Sequence, residues 1–96
     1  MPREAALATR TDRLLTERGA WWVNLHGSVM GATGLPDRLA IHRGRALAIE
    51  LKSPRGQLRA RQRFVLERIR RAGGIVVVAK DLAAIAAALD DIEATA

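Results

Sequence analysis

The apolar positions change period several times along the chain, and each change marks an element. From Arg3 to Arg18, Ala6, Leu7, Leu14 and Leu15 recur at helical spacing, and Gly19 supplies a stop, which predicts a helix over 3–18. Ala20 to His26 alternates as a strand, with Trp21, Val23 and Leu25 on one face and Trp22, Asn24 and His26 on the other. A Gly-rich loop follows. Asp37, Leu39 and Ile41 then alternate with Arg38, Ala40 and His42, and Leu47, Ile49 and Leu51 alternate with Ala46, Ala48, Glu50 and Lys52. Arg43-Gly44 between them reads as a two-residue hairpin turn in which Gly provides a positive φ. Ser53 to Gly56 is a turn, and Gln57 to Ala72 has the stripe of a helix closed by Gly73-Gly74. Gly74 to Ala79 is wholly apolar and β-branched, which predicts a strand buried on both faces and parallel to a neighbour. Asp81 caps a last helix, Leu82 to about Ile92. The order αβββαβα implies an α/β fold, a small mixed sheet flanked by helices, as one domain over 1–96.

The hairpin register makes a chemical prediction. If Arg43-Gly44 is the loop, His42 pairs with Arg45 and Asp37 stands opposite Glu50, on the face that also carries Lys52. Two carboxylates and an ammonium converge at the hairpin's open end, among Leu39, Ile41, Ala46 and Ala48. A packed core has no use for that cluster, whereas a metal site does. The helix after it has a matching irregularity. Its stripe is Leu58, Val65, Ile69 and Ala72, with Leu66 flanking, and it is regular only if Gln62 fills a gap and faces inward. An inward amide needs hydrogen-bond partners, which places Gln62 beside the carboxylates.

Charge narrows the partner. The net charge is +6, with 14 Arg and 2 Lys against 10 acids, which favours a polyanion, nucleic acid first. Seven of the Arg lie between Arg55 and Arg71, a helix surface suited to phosphates. Where Arg dominates so strongly, Lys at position 52 stands out as a compact point charge that can meet a water or a phosphate. The absence of Cys excludes a disulfide framework and a zinc-thiolate site. No apolar run approaches the roughly 18–20 residues of a membrane span, and no signal-peptide core is evident. The expectation is a soluble, cytoplasmic protein associated with nucleic acid.

Gly34-Leu35-Pro36-Asp37, then Glu50-Leu51-Lys52, then Gly56-Gln57-Leu58 with Gln62, resembles the virus-type replication-repair nuclease (VRR-NUC) branch of the PD-(D/E)xK nuclease superfamily. The resemblance runs from Glu4 to about Ala79 and implies a restriction-endonuclease-like core and metal-dependent cleavage of DNA. It assigns Asp37 and Glu50, with the backbone carbonyl of Leu51, to Mg²⁺ or Mn²⁺. Lys52 and Gln62 complete the catalytic set, and the products carry a 5′-phosphate and a 3′-hydroxyl. Glu4 of the first helix either joins the metal or merely favours the helix N-terminus. Ser28, in the Gly-rich loop, either approaches the DNA backbone or belongs to a loop without a role. His26 reads as structural, and Trp22 as packed beside the first helix. Arg55, Arg59, Arg63 and Arg70 are the expected DNA contacts. A compact domain favours structure-directed cleavage of a junction or flap over recognition of a long sequence. The apolar excess on the last helix suggests a homodimer with two sites. A nicking or nonspecific nuclease, a non-catalytic DNA-binding replication or repair module, and a structural protein bearing a salt-bridged hairpin are the alternatives.

Overall fold

A computed structural model describes residues 3–25 and 33–95. The elements are α1 (Arg3–Glu17), β1 (Trp21–Asn24), β2 (Arg38–His42), β3 (Arg45–Leu51), α2 (Ala60–Arg71), β4 (Ile75–Ala79) and α3 (Leu82–Thr95), in the order αβββαβα. The four strands form one sheet in sequence order, antiparallel from β1 to β3, with β4 parallel to β3.

The β2–β3 hairpin has the predicted register, with His42 opposite Arg45 and Arg38 opposite Ile49. Its turn requires left-handed backbone at both residues, Arg43 at φ 49° and Gly44 at φ 80°, the pattern that matches the twist of the strands. Only Gly adopts that region without steric cost, so Arg43 carries the strain of the turn.

The register puts Arg38, Ala40 and His42 on the face shared with Leu47, Ile49 and Leu51. Against this face pack Leu7 and Leu15 of α1 and Ile85, Leu89 and Ile92 of α3, all buried. α2 packs along β4 and lies over the face that carries Glu50, whose carboxylate its Gln62 reaches. Trp22 packs against the core, and its Nε1 donates to Thr16 Oγ1 of α1 at 3.1 Å. At α3 the Ala84 N–H donates to Asp81 Oδ1 at 3.1 Å, the expected cap.

Four expectations need correction. β1 ends at Asn24, and His26 lies outside the described residues. α2 begins at Ala60 rather than Gln57, because Arg59 is extended (φ −77°, ψ 158°) and its N–H is satisfied by a side chain instead of a helical turn. In α2 the one buried apolar residue is Leu66, while Val65 and Ile69 are half-buried and Ala72 is exposed. β4 is not buried on both faces. It is an edge strand that α2 covers in part, so Ile75, Val76 and Val77 are half-buried, Val78 is exposed and Ala79 alone is fully buried.

The surface argument for dimerisation also moves. On α3 the large apolar side chains Ile85, Leu89 and Ile92 turn inward, and Ala83 and Ala87 face out. Among the described residues the exposed large hydrophobics are Trp21, Ile41, Phe64 and Val78, and none of them is on α3. Trp21 and Ile41 are directly paired on the sheet face opposite the core.

Candidate active site

The open end of the hairpin forms a cleft of about 450 Å³ lined by Glu4, Ala5, Ala8, Asn24, Leu35, Asp37, Arg38, Glu50, Leu51, Lys52 and Gln62. A second groove, of about 520 Å³ between β4 and α3, has apolar walls and only Arg45 and Asp91 as ionisable groups. The chemistry lies in the first.

Each side chain there is placed by backbone structure. Asp37 precedes β2, and its carbonyl accepts from Leu25 N–H at 2.9 Å, which continues the β1–β2 pairing by one step. Its carboxylate Oδ2 accepts the Leu51 N–H at 2.8 Å, so the ends of β2 and β3 are clamped together. Glu50, 3% exposed, comes from β3 one residue before Leu51. The Lys52 N–H is held by Ala79 O at 2.9 Å, which fixes the backbone from which the lysine enters the cleft.

Gln62 joins these groups. Its Nε2 donates to Glu50 Oε2 at 2.9 Å, and its Oε1 accepts from Lys52 Nζ at 3.1 Å and from the Arg59 N–H at 2.9 Å. Lys52 Nζ also lies 3.3 Å from Glu50 Oε2, which closes a triangle of carboxylate, ammonium and amide. Those partners fix the amide orientation, because a carboxylate must face N–H and an ammonium must face oxygen. They also explain the start of α2. Gln62 stands at the third helical position and reaches back to the N-cap amide, half of a capping box. The spacing that predicted an inward Gln62 is thus met, and the same bond sets the helix boundary that periodicity misread.

Electrostatics sets Glu50 apart. Burial, and then the nearby Asp37 charge, push its carboxyl above the ordinary value of 4.5, against the opposing pull of Lys52. A divalent cation held by the two carboxylates would offset both causes by stabilising the ionised forms. Among the described residues no three acidic or histidine side chains are grouped closely enough to hold a metal. Two carboxylates in an open, oxygen-rich cleft nevertheless suit Mg²⁺ or Mn²⁺, since Mg²⁺ keeps several waters and takes one or two protein carboxylates. Glu4 lines the same cleft, but its Oε1 accepts from the Ser53 N–H at 2.8 Å and steadies that turn.

The expected DNA contacts divide. Arg59 lines an adjoining groove with Thr33, Gly34, Lys52, Arg61 and Gln62. Arg55 is exposed on the turn before α2. Arg63 folds back so that its guanidinium donates to Leu58 O at 2.9 Å, and Arg70 pairs with Glu67 at 2.7 Å near the far end of the helix. Ser28 lies outside the described residues.

Two cleft residues went unread in the sequence. Arg38, 5% exposed, holds Asp12 through two bonds of 2.7 and 3.1 Å and donates to the Asp37 carbonyl at 3.0 Å, so α1 steadies the backbone of Asp37. The signal was available, since Arg38 shares the core face with Ala40 and a buried guanidinium requires an acid. Asn24 in the cleft had no such signal, whereas Arg61 in the groove is one of the seven Arg that the charge pattern assigns to phosphates. Gly34 explains the start of the Gly-x-Pro-Asp segment. It has φ 80°, and a Cβ there would lie 2.7 Å from the Arg61 carbonyl oxygen, so only Gly lets the segment pass α2.

No family model matches the chain, and no curated protein does. Among solved structures, one described as a VRR_NUC domain is similar, with a TM-score of 0.69 and 26% identity, over 79% of this chain and 82% of that one. The order of elements, the mixed sheet and the likeness in sequence agree, and the chain has the fold of a VRR-NUC nuclease-family domain.

Proposed function

We propose that the chain is a metal-dependent endonuclease that hydrolyses phosphodiester bonds in DNA, with Asp37, Glu50, Lys52 and Gln62 as its working groups. The observation that carries this reading is the Glu50–Lys52–Gln62 triangle beside Asp37, a charge cluster held at an open cleft by 2.8–3.3 Å contacts. Asp37 and Glu50 would hold Mg²⁺ or Mn²⁺, with the Leu51 carbonyl as a further ligand and Glu4 within the same cleft. The ion supplies charge neutralisation at the phosphate and acidifies an attacking water.

The protein's own groups divide the remaining work. Water oxygen bonds to phosphorus as the bond to the 3′ oxygen breaks; the water gives up a proton to solvent and the departing 3′ oxygen takes one from it, which leaves a 5′-phosphate and a 3′-hydroxyl. Negative charge grows on the phosphoryl oxygens, and the Lys52 ammonium stabilises it or orients the water. Gln62 fixes Lys52 and Glu50 relative to one another, so little reorganisation accompanies the reaction. Arg59 and Arg61, in the adjoining groove, meet the flanking phosphates. Ser28, Arg55, Arg63 and Arg70 extend the contact along the backbone.

Cleavage is structure-directed, because the small cleft leaves no room for reading a long sequence. The working unit is a homodimer that brings two sites to two strands, and the exposed Trp21–Ile41 pair offers apolar surface for it. Incubating the purified protein with duplex, single-stranded, flap and four-way-junction DNA, with Mg²⁺, Mn²⁺ or a chelator, tests the first. Cleavage of junction or flap that stops with chelator is expected. Binding without any cutting would make the chain a DNA-binding module, and equal cutting of every DNA would make it a nonspecific nuclease. Sedimentation at micromolar concentration tests the second. One-chain mass together with full junction cleavage would exclude the dimer.

A further inference from the structure

The cleft accounts for only one side of α2. The other side carries the chain's single phenylalanine, Phe64, half in water at 50% exposure. Core packing does not use it, since Leu66 is the residue this helix buries. The guanidinium carbons of Arg61 and Arg68 lie 5.2 and 5.7 Å from the ring centroid. They are three residues before and four after, so all three side chains share one helix face. Guanidinium is weakly hydrated and planar, so the two cations can flank the ring while it stays open to a ligand. Arg61 also ties this face to the cleft. Its Nε donates to Thr33 Oγ1 at 3.2 Å, and it lines the groove that holds Lys52, Arg59 and Gln62. Basic side chains therefore lead from the groove, through Lys52, Arg59 and Arg61, to the aromatic ring.

A basic track ending on an exposed aromatic ring has the two parts that single-stranded nucleic acid requires, cations along the phosphates and a face on which a base stacks. An intact duplex keeps its bases stacked on one another and offers the ring nothing. We propose that Phe64, flanked by Arg61 and Arg68, is a stacking platform for an unpaired nucleobase, so that the preferred substrate is DNA with splayed or single-stranded nucleotides beside the cleavage position. The ring stands roughly one helix diameter, ~10–12 Å, from Gln62, so the stacked base belongs to a neighbouring nucleotide and not to the scissile phosphate. The cleavage position rests on the nuclease reading above, whereas the base platform does not.

Binding without turnover separates the two. Fluorescence anisotropy in chelator would compare a single strand, a fork with unpaired arms and a blunt duplex, with 2-aminopurine in the unpaired arm. Phe64→Ala is expected to weaken single-strand and fork binding by about tenfold and to leave the blunt duplex within about twofold. Phe64→Trp should restore the affinity, and the 2-aminopurine signal should respond to the wild type but not to Phe64→Ala. Equal losses on all three DNAs, or no loss on any, would overturn the platform and reduce the Arg–Phe contacts to helix packing. Because Phe64 is exposed, the variants should fold, which their unfolding temperatures check. Absence of cleavage by the wild type with either metal would sink the nuclease reading and leave the platform standing.

Discussion

The β2–β3 hairpin meets a glutamate at each end, and the two are treated in opposite ways. Glu93 of α3 meets the turn end. His42 Nε2 lies 2.8 Å and Arg18 3.0 Å from its Oε2, and with His42 as the larger cause its carboxyl is held below the ordinary 4.5. Glu50, at the open end, is buried beside another acid and is pushed above 4.5. At the turn end the carboxylate meets a guanidinium and a ring nitrogen, contacts that bind α1, the sheet and α3 together. At the open end like charges share a cleft, and the fold holds them there without full compensation. The difference teaches where binding capacity resides: the turn end is electrostatically finished, and the open end keeps a carboxyl pushed up by burial and by its acidic neighbour.

The sharpest way to break this contrast is by activity. Asp37→Asn, Glu50→Gln and Lys52→Ala should each lower cleavage by about a thousandfold or more while Glu93→Gln leaves it near wild type, as single-turnover assays would measure. A folded Lys52→Ala enzyme cutting at the normal rate would refute the assignment. Gln62→Ala should lose about ten- to a hundredfold, since it removes the group that positions Lys52 and Glu50. Gln62→Glu should be worse, because it sets a third carboxylate where Glu50 needs a donor. Recovery of activity in Gln62→Glu would show that the triangle does not matter.

Stability should run the other way, and pH separates the ends. The folded value of Glu50 lies above 4.5, so the folded chain holds that proton more tightly than the unfolded chain does. Ionised Glu50 therefore costs stability, with nothing lost below 4.5 and the full cost present above the raised folded value. Glu50→Gln should raise the unfolding temperature at neutral pH in chelator, and the gain should vanish on acidification. Glu93 lies below 4.5, so its contribution is complete above 4.5 and is lost as pH falls through its lower folded value. Glu93→Gln should lower the unfolding temperature at neutral pH and converge on wild type in acid. Identical pH profiles for the two variants would erase the contrast. The smallest effect expected is on salt dependence. Arg59→Ala should flatten the slope of DNA affinity against salt by about one unit, and Arg70→Ala, already paired with Glu67, by less. Equal slopes would place both arginines in solvent.

The site was legible because it rests on local rules. A two-residue turn sets a register, and the register sets which side chains share a face, so Asp37, Glu50 and Lys52 followed from counting. Gln62 followed from a gap in a stripe. What failed depended on coverage. Whether β4 is buried on both sides depends on how far α2 reaches across the sheet, and the outward face of α3 depends on how deeply its large residues sink. Neither is written in the run of residues. Arg38 shows the intermediate case, in which alternation placed it on the core face and only the fold revealed Asp12 as its partner. Phe64 was invisible for the opposite reason, since an aromatic inside a helix is expected to pack and this one does not.

The Gln62 oxygen holds two donors at once, a backbone amide that begins α2 and the ammonium of Lys52. An ammonium has three N–H donors, so Lys52 can keep this bond and its contact with Glu50 and still offer a third to a ligand. One oxygen atom therefore fixes both the lysine and the start of α2, and whatever disturbs the first turn of the helix also loosens the ammonium.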